Sequence, residues 1–216
     1  MKHLLFLIPW IMTVTNSRAQ VAVGAAEAAA PLAFFVEQLE IPAEFSLKQV
    51  SLVRIDQVEA YLFRAEKSVN SGLLGEHFSF LVSKKQPFRI LGFTRMDSKY
   101  LNKPQLSEGE TRTIAVDFLR RVDSNLADNV EHLWTDKHGE PLEMGGEAEQ
   151  LVGMKYKCFR KSARDYAWVI VGFDGSIVTF ERDIIWDSGR KKRQTKQWLS
   201  DSWQLNNAQG QGDVTR

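Results

Sequence analysis

Large apolar side chains fall on alternate positions in "HFSFLVS", where Phe78, Phe80 and Val82 share one side. A period of two is that of a strand. "SLKQVSLVRI" and "VEAYLFRAE", within residues 45–66, carry β-branched and aromatic residues in a looser version of that pattern and predict two earlier strands. Lys84 to Pro87 turn the chain, and "FRILGFTRM" returns it. The period then changes. Ile114, Ala115, Phe118, Leu119 and Val122 recur at helical spacing, with Arg112, Asp117, Arg120 and Arg121 on the wet side. Ser107 and Glu110 form an S-x-x-E capping box that starts this helix, and Asn125 to Asp128 end it. "PLAFFVEQLEI", from Pro31, predicts a shorter helix stopped by Pro42.

Strand patterns resume at "VEHLWTD", followed by a turn at "KHGEP", a Gly/Glu-rich loop over 143–149 and a strand in "GMKYKCF". "YAWVIVGFDGSIVTFER" reads as two strands folded over an Asp174-Gly175 turn, with "DIIWD" extending the second to Asp187. The order helix, then four strands, thus occurs twice. Phe78, Phe80 and Val82 align with Tyr166, Trp168 and Ile170, and Ile90, Phe93 and Arg95 align with Ile177, Phe180 and Arg182. Duplication of a small unit explains the match, and so does the mutual resemblance of aromatic hairpins. The expected fold class is α+β, with antiparallel sheets each packed by a helix.

Composition adds limits. The chain has 216 residues, 44% of them hydrophobic and 25% charged, which is the globular range. A net charge of +1 argues against coating nucleic acid. Lys2, the apolar run "LLFLIPWIMTV" and the small residues Ser17 and Ala19 make residues 1–19 an export signal. Eleven residues at ~1.5 Å each cannot span a ~30 Å hydrocarbon core. The expected location is therefore periplasmic or secreted. Residues 20–44 are read as a flexible segment and the short helix, 45–104 and 105–189 as two halves, and 190–216 as a basic, tryptophan-bearing tail whose end, 206–216, lacks structure. Cys158, the one cysteine after this signal, cannot close an internal disulfide. It is either a small buried apolar residue or a reactive thiol.

The capped helix from Ser107, the Asp174-Gly175 turn and the following "DSG" at Asp187 to Gly189 resemble the PepSY-type domain. The first half, with "HFSFLVS…RILGF", is similar to the module that precedes PepSY in propeptides of thermolysin-type secreted proteases. This resemblance implies tandem PepSY-like units and a secreted or periplasmic protein that binds a peptidase or another envelope protein in trans.

No chemistry-bearing motif stands out. There is no HExxH spacing, no G-x-S-x-G elbow, no P-loop and no dinucleotide fingerprint. His132, Asp136 and His138 are evenly spaced, so a regular strand would put them on one face; a metal site and a solvated edge are both compatible with that. Glu181 and Asp183 read as outward-facing strand carboxylates. Arg95 and Arg182 each follow a strand Phe at i+2. They are candidates to grip a partner's carboxylate, or their stems cover the edge of the core. Arg190, Lys191, Lys192 and Arg193 precede Trp198 and Trp203. That tail suits an anionic membrane surface or acidic partner, unless the tryptophans dock back onto the sheet. The expectation is a non-enzymatic binding protein with no cofactor and no nucleic-acid partner. The alternative is a small hydrolase or metal-dependent enzyme with an unrecognised site.

Overall fold

A computed structural model describes residues 20–24, 26–67, 72–144 and 147–210. The expected export signal, residues 1–19, and the last six residues of the expected unstructured end lie outside the described residues. The strands are β1 (Gln20–Ala22), β2 (Ser46–Ile55), β3 (Val58–Glu66), β4 (His77–Ser83), β5 (Ile90–Met96), β6 (Glu131–Met144), β7 (Glu147–Arg160), β8 (Asp165–Val171), β9 (Ile177–Ile184), β10 (Trp186–Asp187) and β11 (Lys192–Arg193). The helices are α1 (Ala29–Gln38), α2 (Glu108–Val122), α3 (Ser124–Asp128) and α4 (Asp201–Gly210).

Nine strands form one antiparallel sheet in the order β1-β2-β3-β4-β5-β9-β8-β7-β6. This corrects the expected α+β class with a separate sheet under each helix: strand makes up 46% and helix 22%, so the fold is mainly β. The physical reason lies at the junction. β5 and β9 would each end a separate sheet with unpaired N–H and C=O groups, an edge that must be covered or paired. They pair with each other through Gly92–Glu181, Phe93–Phe180 and Thr94–Thr179. The threonine hydroxyls also bond across the seam at 2.8 Å.

One face of the sheet lies under the helices. Phe35 of α1 stacks on Phe80 with ring centroids 3.9 Å apart, and Phe80 stacks on Phe63 at 4.6 Å. Phe118 of α2 meets Phe93 and Phe180 edge-on, at 5.8 and 5.3 Å, and so locks the seam from above. Offset and edge-on ring pairs add about 1 kcal/mol each beyond area burial. The capping box of α2 is complete: Glu110 N donates to Ser107 Oγ, and Ser107 N donates to Glu110 Oε2.

The opposite face is covered as well. Leu62, Leu81 and Leu91 pack under Trp198 and Leu199, while Met96, Ile170 and Val178 pack with Tyr100, Leu142 and Leu151. β4 is therefore buried at every position, including His77 and Ser79.

Several expected boundaries move. Gln20–Ala22, expected to be flexible, pairs with β2 as the sheet's edge strand. "KHGEP" is no turn but the middle of β6, where Pro141 is tolerated because β6 is itself an edge. Leu142–Glu149, Glu143–Ala148 and Met144–Glu147 pair, so most of the loop expected over 143–149 belongs to β6 and β7. β9 stops at Ile184, after Asp183 takes a positive φ of 57°; Trp186–Asp187 then pairs with Lys192–Arg193 in a separate hairpin. α4 reaches Gly210, so residues 206–210 are helical.

The alignment of the two halves shifts by one residue. Phe80 pairs with Phe93 in the first half, and the residue that pairs with Phe180 in the second is Val169, not Trp168. Ala167, Val169 and Val171 join the core under the helices, which leaves Trp168 and Ile170 on the other face. A slip of one residue turns a strand over. Phe93 and Phe180, aligned in sequence, do stand directly opposite each other across the seam.

Candidate ligand-binding site

The face away from α1 and α2 holds a cavity of about 400 Å³. Its floor comes from the middle of the sheet: Thr94 and Met96 of β5, Thr179 and Glu181 of β9, Trp168 of β8 and Lys155 of β7. β6 supplies one wall through His138, Glu140 and Pro141. The chain beyond β9 supplies the roof, with Trp186, Lys191, Lys192 and Arg193 at one end and Leu199 to Ser202 at the other.

Local structure places each of these. Thr94, Thr179 and Glu181 lie on the face opposite Phe93 and Phe180 because side chains alternate along a strand. β11 brings Arg193 over Glu181, where two N–H groups meet the two carboxylate oxygens at 3.0 and 2.6 Å. Arg193 also lies 5.2 Å from the Trp168 ring. Asp201 opens α4 and accepts from Arg64 at 2.8 and 3.1 Å and from Leu74 N at 2.7 Å. Arg64 donates two further N–H groups, to Glu66 at 2.6 Å and to the Gly72 carbonyl at 2.6 Å. This buried network ties the roof to β3.

Two titratable groups on the walls are left over. His77 is 2% exposed, and its Nδ1 lies 2.8 Å from the Gly75 carbonyl. A carbonyl only accepts, so Nδ1 carries the hydrogen and Nε2 is a bare acceptor. Nε2 has no hydrogen-bond partner. Burial pushes the imidazole pKa down to about 4, against the pull of Asp201. Lys155 is 9% exposed, with Nζ 4.0 Å from the centre of the Trp168 ring. Burial lowers its pKa to about 8, partly offset by Glu181 and Glu140. No carboxylate stands within salt-bridge distance of Lys155 among the described residues.

The residues singled out in the sequence scatter. Arg95 and Arg182 both lie on the helix side, away from this cavity. Arg95 pairs with Glu44 and Asp97 and lines a groove between the end of α1 and α2. Arg182 is buried between Asp123, the N-cap of α3, and Asp183. Asp183, expected to face out, is instead held by Arg89, Arg160 and Arg182; burial raises its pKa, but these cations outweigh burial and lower it. Arg190 is exposed, Lys191 and Lys192 line the cavity mouth, and Arg193 is spent on Glu181. Trp198 is buried, donates Nε1–H to the Arg54 carbonyl at 3.1 Å and meets Trp203 edge-on at 5.1 Å.

His132 and His138 separate for one reason. A bulge between His132 and Trp134 inserts one residue and reverses the alternation. His132 therefore stacks on Tyr156, in the core under the helices, while His138 reaches the cavity and lies 2.7 Å from Glu140. Among the described residues no group of three or more His, Cys, Asp or Glu side chains could hold a metal ion. Lys155 was invisible in the sequence, since "KYKCF" reads as a strand with a wet lysine face. Only the folded-back tail buries it.

Comparison with protein-family models, curated proteins and solved structures finds no match to this chain. Among the described residues no helix is long and apolar enough to cross a membrane.

Proposed function

We propose that this chain is a non-enzymatic binding protein, acting in an exported compartment, whose ligand sits in the cavity on the face away from the helices. The observation that carries this reading is the cavity's prior assembly. Its volume of about 400 Å³ falls within the ~300–1,000 Å³ of small-ligand pockets. Its walls are fixed by the Arg193–Glu181 pair, the Arg64–Asp201 pair and the Thr94–Thr179 bond. Those contacts commit the hydroxyls and carboxylates to one another, so the walls favour holding a molecule over attacking one. The ligand is then a small molecule, or a side chain or chain end presented by an exported protein.

The test is a thermal-shift screen of small metabolites and short peptides against the full chain, repeated on Ser202→Trp, which fills the cavity from its half-buried rim. Binding predicts hits that raise Tm in the parent and lose their effect in the variant. Hits unchanged by Ser202→Trp would place the ligand elsewhere, and steady turnover of a hit would make the protein an enzyme.

A further inference from the structure

The cavity walls carry an imbalance of charge. Several charged groups around it already hold one another: Arg193 pairs with Glu181, Arg64 is shared by Asp201 and Glu66, and His138 lies in hydrogen-bond contact with Glu140. Lys155, Lys191 and Lys192 have no such partner among the described residues. Lys191 and Lys192 stand in solvent at the mouth, where an unpaired ammonium is ordinary. Lys155 is different. It is 9% exposed, it lines the cavity, and its Nζ has three hydrogens and no acceptor. An ammonium drawn largely out of water with no carboxylate within pairing distance is costly, and a ring face returns only about 2 kcal/mol of that cost. A second wall group, the Nε2 acceptor of His77, is fully buried and has no hydrogen-bond partner. Polar atoms without protein partners on the wall of a preformed cavity mark where a ligand can supply them.

We propose that the cavity takes an organic carboxylate, with its charged oxygens on Lys155 Nζ and its apolar part against Leu199, Pro141 and Trp186. The inference rests on the reading of the cavity as a binding site and names the ligand class. A monoanion fits better than a phosphate. One ammonium supplies up to three hydrogens from a single point, whereas phosphate sites gather an arginine fork or several backbone N–H groups. Here the arginines are already occupied by Glu181 and by Asp201. The mouth lysines draw the anion in, and burial of Lys155 makes its pairing strong once water is displaced. A ligand hydroxyl or amide N–H placed toward His77 would complete the wall.

Isothermal titration calorimetry on the full chain tests this with phenylacetate, indole-3-acetate and octanoate, each against its neutral amide, and with phenyl phosphate. Binding of at least one acid, at least tenfold tighter than its amide and than phenyl phosphate, is the expected result. Lys155→Met should weaken that acid at least tenfold and leave the amide unchanged. Raising the pH of the unaltered protein through about 8, where Lys155 loses its proton, should weaken the acid in the same way. This arm holds even if the variant folds poorly. Acid and amide binding equally, with no effect of Lys155→Met or pH, would overturn the carboxylate while leaving the cavity as a binding site. Tighter binding of phenyl phosphate would replace carboxylate by phosphate. If no acid or amide gave heat that Ser202→Trp abolished, both the ligand class and the binding site would fall.

Discussion

Acid should unfold this protein through His77 before it titrates most of the paired carboxylates. The imidazole is fully enclosed in β4, its Nδ1 hydrogen goes to Gly75, and Asp201, Arg64 and Glu66 are the charged groups around it. Burial lowers its pKa from 6.5 to about 4. Because the folded value is the lower one, the unfolded chain takes up a proton first. Stability from this group is complete above about pH 6.5 and is lost as the pH falls toward about 4. The gap of some 2.5 units, at ~1.4 kcal/mol each, amounts to about 3 kcal/mol. Against a total stability of about 5–15 kcal/mol that is a large share. His77→Gln removes the titration while keeping a donor for the Gly75 carbonyl. Urea unfolding at about pH 7, 6, 5 and 4.5 should give a curve for the parent that falls more steeply than the variant's, with the gap between them changing by about 2–3 kcal/mol. Glu76, Asp97, Asp123 and Asp183 also have lowered pKa values, and their contributions are lost in both proteins alike. Parallel curves would refute the reasoning and would mean that His77 reaches solvent.

Three further outcomes are expected. Gly92→Ala should cost about 1–3 kcal/mol in urea unfolding, since its Cβ would meet the Phe180 carbonyl oxygen at 2.7 Å and Leu199 Cδ1 at 2.9 Å, pressing on the seam and the roof together. Asp123→Ala should cost about 3 kcal/mol, because it takes one of two carboxylates from a buried arginine and removes the cap of α3, whereas Asp117→Ala, whose pair with Arg120 is exposed, should change stability by less than about 0.5 kcal/mol. Cys158 is fully buried, and burial raises its thiol pKa to about 12, so a thiol reagent should label the native protein slowly and the urea-unfolded chain fast; rapid native labelling would contradict its position.

What could be read from the sequence was local. The capping box at Ser107 and Glu110, the face shared by Phe78, Phe80 and Val82, and the Asp174-Gly175 turn rest on neighbours within a few residues, and Gly175 does take a positive φ of 79°. The union of two expected sheets was not legible, because the pairing of Phe93 with Phe180 joins residues 87 positions apart, and only the cost of two open edges hints at it. The face of Trp168 was lost to bulges, since register shifts between Tyr166 and Trp168 and between Ile170 and Val171 break the alternation on which the alignment depended. The cavity was hidden for a related reason. Its floor looks like a solvated strand face until the tail lies across it, and the docking of Trp198 and Trp203, one of the two arrangements open to that tail, does not by itself reveal a cavity beneath.

The pair between Arg64 and Asp201 spans 137 residues, and that from Trp198 to the Arg54 carbonyl spans 144. A chain made from its N-terminus thus completes β2 to β5 long before the residues that cover them exist. Throughout that interval Leu62, Leu81 and Leu91 face water, and Arg64 has Glu66 as its nearby carboxylate but lacks Asp201. Long-range closure of this kind is slow and leaves sticky intermediates. The newborn protein therefore passes through a stage in which the apolar face later covered by Trp198 and Leu199 is open, and whatever keeps other chains from that surface must act until those residues have emerged.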